Sequence, residues 1–214
     1  MEPHTVQGII DLFVTMFIGM GPVKSLLIYL AATRDTDVKL QRLVARKTVL
    51  TATTVALVLL VAGSFLMRLL HFTTGSLTIA GGLILLLLAL QMVMSPPPAA
   101  DKAAQPVGDK ALLSMAVFPL ALPLTLNPVG IVTLTVTSAE ATSFGDIAIL
   151  AVIVLVIALI DYAIFVTGHG LDHVLSPERI LVSEKVLGIL LAALAVQLIY
   201  NGLADLGVVA AIAH

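Results

Sequence analysis

The sequence predicts an all-helical membrane protein: six transmembrane helices in two inverted three-helix repeats, with helices 1 and 4 broken near the midplane at Gly21-Pro22 and Asn127-Pro128. Three observations predict it. Apolar residues make up 59% of the 214 and charged residues 11%, at a mean hydropathy of +1.12; a soluble domain carries about a quarter charged residues. Apolar stretches of the ~20 residues needed to cross a bilayer recur along the chain. The two halves also align with each other at a single shift.

The stretches fall near 8–32, 47–70, 77–94, 112–137, 147–168 and 183–204, each bounded by charged or turn residues. Runs such as Leu83 to Leu90 lack the alternation of a barrel strand. Met1-Glu2-Pro3-His4 has no basic region, so the first stretch is expected to be a retained span. Lysine and arginine orient the rest. Arg34, Lys39, Arg42, Arg46 and Lys47 follow span 1, Lys102 and Lys110 follow span 3, and Arg179 and Lys185 follow span 5. Of the other two, Arg68 is on the opposite side and Lys24 inside span 1. The positive-inside rule then sets both termini outside a multi-pass inner (plasma) membrane protein. A net charge of −2 with scattered cations argues against a nucleic-acid partner. Absent cysteine removes thiolate and disulfide chemistry.

Residues 35–47 alternate charge with Val38, Leu40, Leu43 and Val44, and so start span 2 either as an amphipathic turn on the headgroups or as a solvated helix end. The Pro/Ala stretch from Ser95 to Pro106 divides the chain into a first repeat, 1–94, a cytoplasmic linker, 95–111, and a second repeat, 112–214. A shift of 106 residues lays Pro22-Val23 on Pro128-Val129, Gly82 on Gly188 and Gln91 on Gln197. Three spans per half turn the second half upside down, the plan of many secondary transporters.

Proline suits the first position of a helix, with Gly or Asn tolerated or favoured just before it. Each break therefore reads as the cap and first turn of a new half-helix, its N–H groups and positive dipole end set deep in the membrane. Two such ends suit a carboxylate. The substrate-binding candidates are Gly21, Pro22, Val23 and Ser25 at the first break, and Thr125, Asn127, Pro128, Val129 and Gly130 at the second. The plainer reading is a pair of proline kinks without a ligand. Lys24 and Asp161 are the costliest residues for the bilayer, at roughly 2.5–3.5 kcal/mol each, and their depths agree within ~3 Å at 1.5 Å per residue. They are the candidate coupling pair for H+ or Na+; the alternatives are a structural ion pair or a snorkelling lysine. Gln91 and Gln197 are candidate supporting polar residues, or simple interhelix packing. His169 and His173 have a metal-compatible spacing, but Gly168 and Gly170 interrupt the helix and no third ligand follows. No metal, cofactor or enzyme motif is expected.

These residues also carry a resemblance. Gly21-Pro22-Val23, Gln41 to Arg46 leading into span 2, Ile79-Ala80-Gly81-Gly82, Phe118 to Leu124 and Asn127-Pro128-Val129-Gly130 resemble the MarC family of six-span membrane proteins. That resemblance implies inverted repeats, outward termini and, as for some archaeal members, transport of small neutral amino acids coupled to a cation. Here Asn-Pro-x-Gly stands in span 4 and Gly-Pro in span 1, the reverse of the usual family pattern. The reading is a secondary transporter of a small neutral amino acid or similar carboxylate-bearing solute, with the lipid bilayer as its other partner and a homo-oligomer left open. The alternatives are export of another metabolite, or a membrane assembly or lipid-interaction factor with no transport cycle.

Overall fold

The computed structural model describes residues 6–21, 23–34, 36–94, 108–168 and 177–210, and these form helices joined by short turns, with no strand among them. In chain order they are α1 (Val6–Met20), α2 (Val23–Thr33), α3 (Val38–Leu70), α4 (Thr74–Met94), α5 (Asp109–Met115), an irregular segment (Ala116–Thr125), α6 (Pro128–Glu140), α7 (Phe144–Thr167) and α8 (Pro177–Asp205). The expectations on Pro22, the side chains of Val23 and Lys24, most of the linker and the His169–His173 pair lie outside the described residues.

Four helices are long and apolar enough to cross a membrane: α3, α4, α7 and residues Leu181–Asp205 of α8. The run from α5 through α6, bent by 67° where the irregular segment meets α6, counts as a fifth when the bent pair is taken as one span. The first stretch of the sequence differs from the other five. It is two helices of 15 and 11 residues, ~22 and ~17 Å long at 1.5 Å per residue, each short of a hydrocarbon core ~30 Å thick. In the fourth stretch the backbone leaves the helix at Phe118 (φ −136°, ψ 123°) and Leu122 (φ −129°, ψ 127°). Both precede a proline, whose ring pushes the preceding residue out of the helical region.

Local chemistry fixes the helix ends. Ser143 accepts from the Asp146 N–H, and Asp146 Oδ2 accepts from the backbone of Ser143 at 3.0 Å and of Thr142 at 2.9 Å, a closed capping box at the start of α7. Gln41 Nε2 donates to Thr33 O at 2.8 Å and Thr36 O at 3.2 Å, while the buried Tyr29 hydroxyl donates to Gln41 O at 3.0 Å. These bonds clamp the turn between α2 and α3. The first turns of α3 bury Gln41, Val44 and Ala45 and expose Lys39, Arg42, Arg46 and Lys47, the amphipathic start that its charge alternation predicts. Lys185 Nζ donates to Met92 O at 2.8 Å, tying α8 to the carbonyl end of α4.

Among the described residues the core forms two large apolar clusters and a small third one, of Leu85, Val129 and Ala195. The first joins Leu12, Met16 and Met20 of α1 to Ala52, Ala56 and Leu60 of α3, Leu126 and Leu134, and Ile153, Val154 and Ile157 of α7. The second joins Tyr29 and Leu30 of α2 to Val44, Ala45 and Val49 of α3, Leu112, Leu120 and Leu124, and Ala158 and Phe165 of α7. Helices α4 and α8 form the most extensive helix pairing in the molecule and reach the rest chiefly through α6.

That pairing rests on missing side chains. A Cβ on Gly82 would stand 2.9 Å from Ala195 O and 2.8 Å from Ile199 Cγ1; one on Gly188 would stand 3.1 Å from Ala89 O and 2.8 Å from Val93 Cγ2. Each glycine thus faces, across the pair, the residues that match its partner's neighbours under the 106-residue shift. Small residues let membrane helices approach until backbone meets backbone. Gly82→Val and Gly188→Val should each lower the thermal unfolding temperature in detergent, by overpacking of about 1–3 kcal/mol. Gly145→Ala, where an added Cβ meets only Ser143 Oγ at 3.4 Å, should leave it unchanged. Equal melting of all three proteins would show that the pair does not depend on this approach.

Candidate functional site

The carbonyl end of α1 meets the amino end of α6. Asn127 stands in an extended conformation at the start of α6, its Oδ1 accepting from the N–H groups of Val129 at 2.8 Å and Gly130 at 3.3 Å, with Pro128 in the first turn. Its Nδ2 donates to Ile18 O at 2.8 Å, and its backbone N–H donates to Gly19 O at 2.9 Å. One residue therefore caps the amino end of α6 and the carbonyl end of α1. Backbone freed at a helix end inside an apolar bundle has no water to turn to. Here Asn127 supplies both kinds of partner.

This junction requires glycine on both sides. A Cβ on Gly19 would collide with Gly130 Cα, and one on Gly130 would stand 2.5 Å from Gly19 O. Gly130 is one of the sequence-derived candidates; Gly19 is not. The N–H groups of Val129 and Gly130, read from the sequence as open to a carboxylate, are engaged by Asn127 itself.

Four further polar side chains are almost wholly buried. Ser25 and Thr48 are 0% exposed, Thr125 and Asp161 1%. On α3, Thr48 stands between Val44 and Ala45 on one side and Val49 on the other, all of the second cluster, and one turn before Ala52 of the first. On α7, Asp161 stands between Ala158 and Phe165 of the second cluster, one turn after Ile157 of the first. Thr125 stands between Leu124 of the second cluster and Leu126 of the first, and Ser25 between Met20 at the end of α1 and Tyr29 in α2. Helix α3 packs against both α7 and the irregular segment, and the residues that flank Thr48, Thr125 and Asp161 share the second cluster.

The hydroxyls of Thr48 and Thr125 and Asp161 Oδ1 have no hydrogen-bond partner. Other threonines of the bundle bond back to their own helix: Thr33 to Tyr29 O at 2.7 Å, Thr135 to Ile131 O at 2.8 Å and Thr78 to Thr74 O at 2.9 Å. Such back-bonding is the ordinary refuge of a helical threonine. Thr53 also keeps a free hydroxyl, but sits five residues on, ~140° around α3 from Thr48 at 3.6 residues per turn.

The remaining candidates are dispersed. Pro128, Val129 and Gly130 are buried at the junction, and Gly21 is half-buried just after α1. Gln197 donates to Asn201 of its own helix at 2.8 Å. Gln91 is exposed on α4, ~15 Å beyond Gly81, the position that meets α6 at Val132. Neither glutamine is brought to the junction. Thr48 carries no sequence signal that separates it from Thr51, Thr53 and Thr54 on the same helix. Among the described residues no group of three His, Cys, Asp or Glu side chains could hold a metal ion.

Residues 6–206 match the MarC family of integral membrane proteins. The chain is 27% identical to a UPF0056 membrane protein of Methanocaldococcus jannaschii over 92% of its own length and 97% of the relative's. It is 27% identical to one of Archaeoglobus fulgidus over 90% and 91%, and 23% identical to one of Pyrococcus horikoshii over 94% and 96%. No solved structure matches the chain significantly.

Asn127→Ala should lower stability by about 1–2 kcal/mol: a lost cap costs about 0.5–2 kcal/mol, and the part-buried N–H groups of Val129 and Gly130 lose their acceptor. Asn127→Asp keeps the cap and loses only the donation to Ile18 O, so it should fall between. Thermal unfolding in detergent ranks the three proteins, and an alanine variant as stable as the parent would remove Asn127 from its bridging role.

Proposed function

Since the chain belongs to the MarC family of integral membrane proteins, we propose that it is a secondary transporter of a small neutral amino acid, or a similar small carboxylate-bearing solute, driven by a proton or sodium gradient. The observation that carries this reading is the set of almost wholly buried polar side chains, Ser25, Thr48, Thr125 and Asp161, within and beside the second apolar cluster. Ionisable and polar groups deep in a membrane bundle are expensive, and are kept where an ion or substrate passes. A factor serving only assembly or lipid contact has no use for an unpartnered carboxylate and two free hydroxyls in its interior.

In this proposal the chain crosses the inner membrane six times as two inverted repeats, with α1 and α2 together forming the first span and both termini outside. The reciprocal glycine approaches of α4 and α8 under the 106-residue shift support that symmetry, as does the meeting of the carbonyl end of α1 with the amino end of α6. The solute's carboxylate lies against the positive amino end of α6 beside Gly21, Ser25 and Thr125, and Asn127 turns outward to release the N–H groups it holds. Asp161 carries the coupling charge. No covalent chemistry, resident metal or cofactor enters the cycle, and a homo-oligomer is compatible with it.

Reconstituted protein should accumulate labelled glycine, alanine or serine when a proton or sodium gradient is imposed across the vesicle. Asp161→Asn at normal yield should reduce gradient-driven uptake by at least about tenfold while sparing solute exchange. Gradient-driven uptake that survives this substitution would remove Asp161 from coupling. Absence of uptake and exchange across the amino-acid panel would overturn the transporter reading.

A further inference from the structure

We propose that Asp161, Thr48 and Thr125 together form a binding site for a dehydrated, sodium-sized monovalent cation. The inference deepens the transporter reading, on which its purpose rests, but the site can be measured without transport.

The donor set comes first. Three side chains from three elements, each at least 99% buried, offer oxygen atoms that bond to nothing else: Thr48 Oγ1, Thr125 Oγ1 and Asp161 Oδ1. Carboxylate and hydroxyl oxygens are hard ligands, suited to alkali and alkaline-earth cations and poor for soft metals. Thr48 lies in a regular helix and could bond back one turn, as Thr33, Thr78 and Thr135 do. Its hydroxyl is instead left without a partner, and its neighbours Val44, Ala45 and Val49 belong to the cluster that Leu124 of the irregular segment and Ala158 and Phe165 of α7 also join.

Charge selects the valence. The site holds one carboxylate, and among the described residues no cationic side chain pairs with it. A monovalent ion would leave the buried site neutral. A divalent ion would leave a net positive charge in a low dielectric, at a desolvation penalty that one carboxylate does not offset. Position gives the coupling. Thr125 is two residues from Asn127, in the segment whose backbone leaves the helix at Leu122 and Leu126. An ion held by Thr125 therefore fixes the segment that leads into the α6 junction, where the solute would bind. Irregular backbone next to a half-helix is where such ions sit in broken-helix transporters generally.

The test uses purified full-length protein in detergent. Its thermal unfolding temperature should rise with sodium chloride relative to choline chloride at equal ionic strength, following ligand linkage. Thr48→Val and Thr125→Val, which keep shape and lose one ligand oxygen, should each weaken apparent sodium affinity by about tenfold, and Thr48→Ser should restore it. Asp161→Asn should abolish the dependence, and Thr54→Val, an exposed residue bonded to Leu50 O at 2.7 Å, should leave it intact. If Asp161→Asn does not fold, the two valine variants still decide. A sodium-independent melt in the parent protein overturns the proposal, as does a sodium effect that both valine variants retain. So does sodium protection that appears only in Lys24→Met, which would assign the counter-charge to that lysine. Sodium binding without amino-acid uptake would overturn the transporter reading and leave the ion site standing. Proton-driven uptake with no sodium effect would do the reverse.

Discussion

Backbone polar groups left open at a helix end have to be satisfied inside the protein, and the junction at Asn127 is where this chain meets that constraint. In lipid no solvent can take the freed N–H and C=O groups, so an interruption survives only against protein or a watered cavity. Asn127 accepts from two amide groups at the start of α6 and donates twice, from side chain and backbone, to the last carbonyls of α1. The carbonyl end of one helix and the amino end of another are thereby held in contact. Gly19 and Gly130 allow it, because nothing larger than hydrogen fits between their backbones.

The outer pair α4 and α8 follows a related rule. Within a bilayer the hydrophobic effect gives no preference for helix over lipid, so close packing has to supply the attraction. Gly82 and Gly188 bring the two helices to backbone distance, and the third apolar cluster, of Leu85, Val129 and Ala195, joins the pair to α6. Gly81 against Val132 continues the contact. The start of α6 is thus held on one side by α1 and on the other by the α4–α8 pair.

Within and beside the second apolar cluster the molecule buries polar atoms that bond to nothing else. A buried hydroxyl without a partner costs about 1–3 kcal/mol and a buried carboxylate more. Helical threonines elsewhere in the chain avoid this cost by bonding to their own backbone. Thr48, Thr125 and Asp161 do not, and all three are flanked by residues of the second cluster. Strict packing would have placed valine or leucine there, and this unpartnered polarity is the ground for the proposed ion site.

Much of this was determined by sequence alone. Composition and the length of the apolar runs dictate a helical membrane protein, because a chain with 11% charged residues cannot cover itself in water. Proline and asparagine chemistry located the interruption at Asn127, since a ring without an N–H and a side-chain acceptor belong at a helix start. Asp161 stood out because charge is rare in such runs. Tertiary structure decided the rest. The partner of the Asn127 amide is 109 residues away in sequence, and nothing in local pattern names Ile18 or Gly19. Gln91 and Gln197 match each other under the 106-residue shift and stood as candidate supporting residues, yet they fall on α4 and α8, away from the junction. Thr48 is one of several threonines in α3, and only its complete burial among Val44, Ala45 and Val49 of the second cluster sets it apart. Sequence reports what a residue can do and how deep it lies; which groups share a space is settled by helix rotation and crossing, which depend on distant small residues at the contacts.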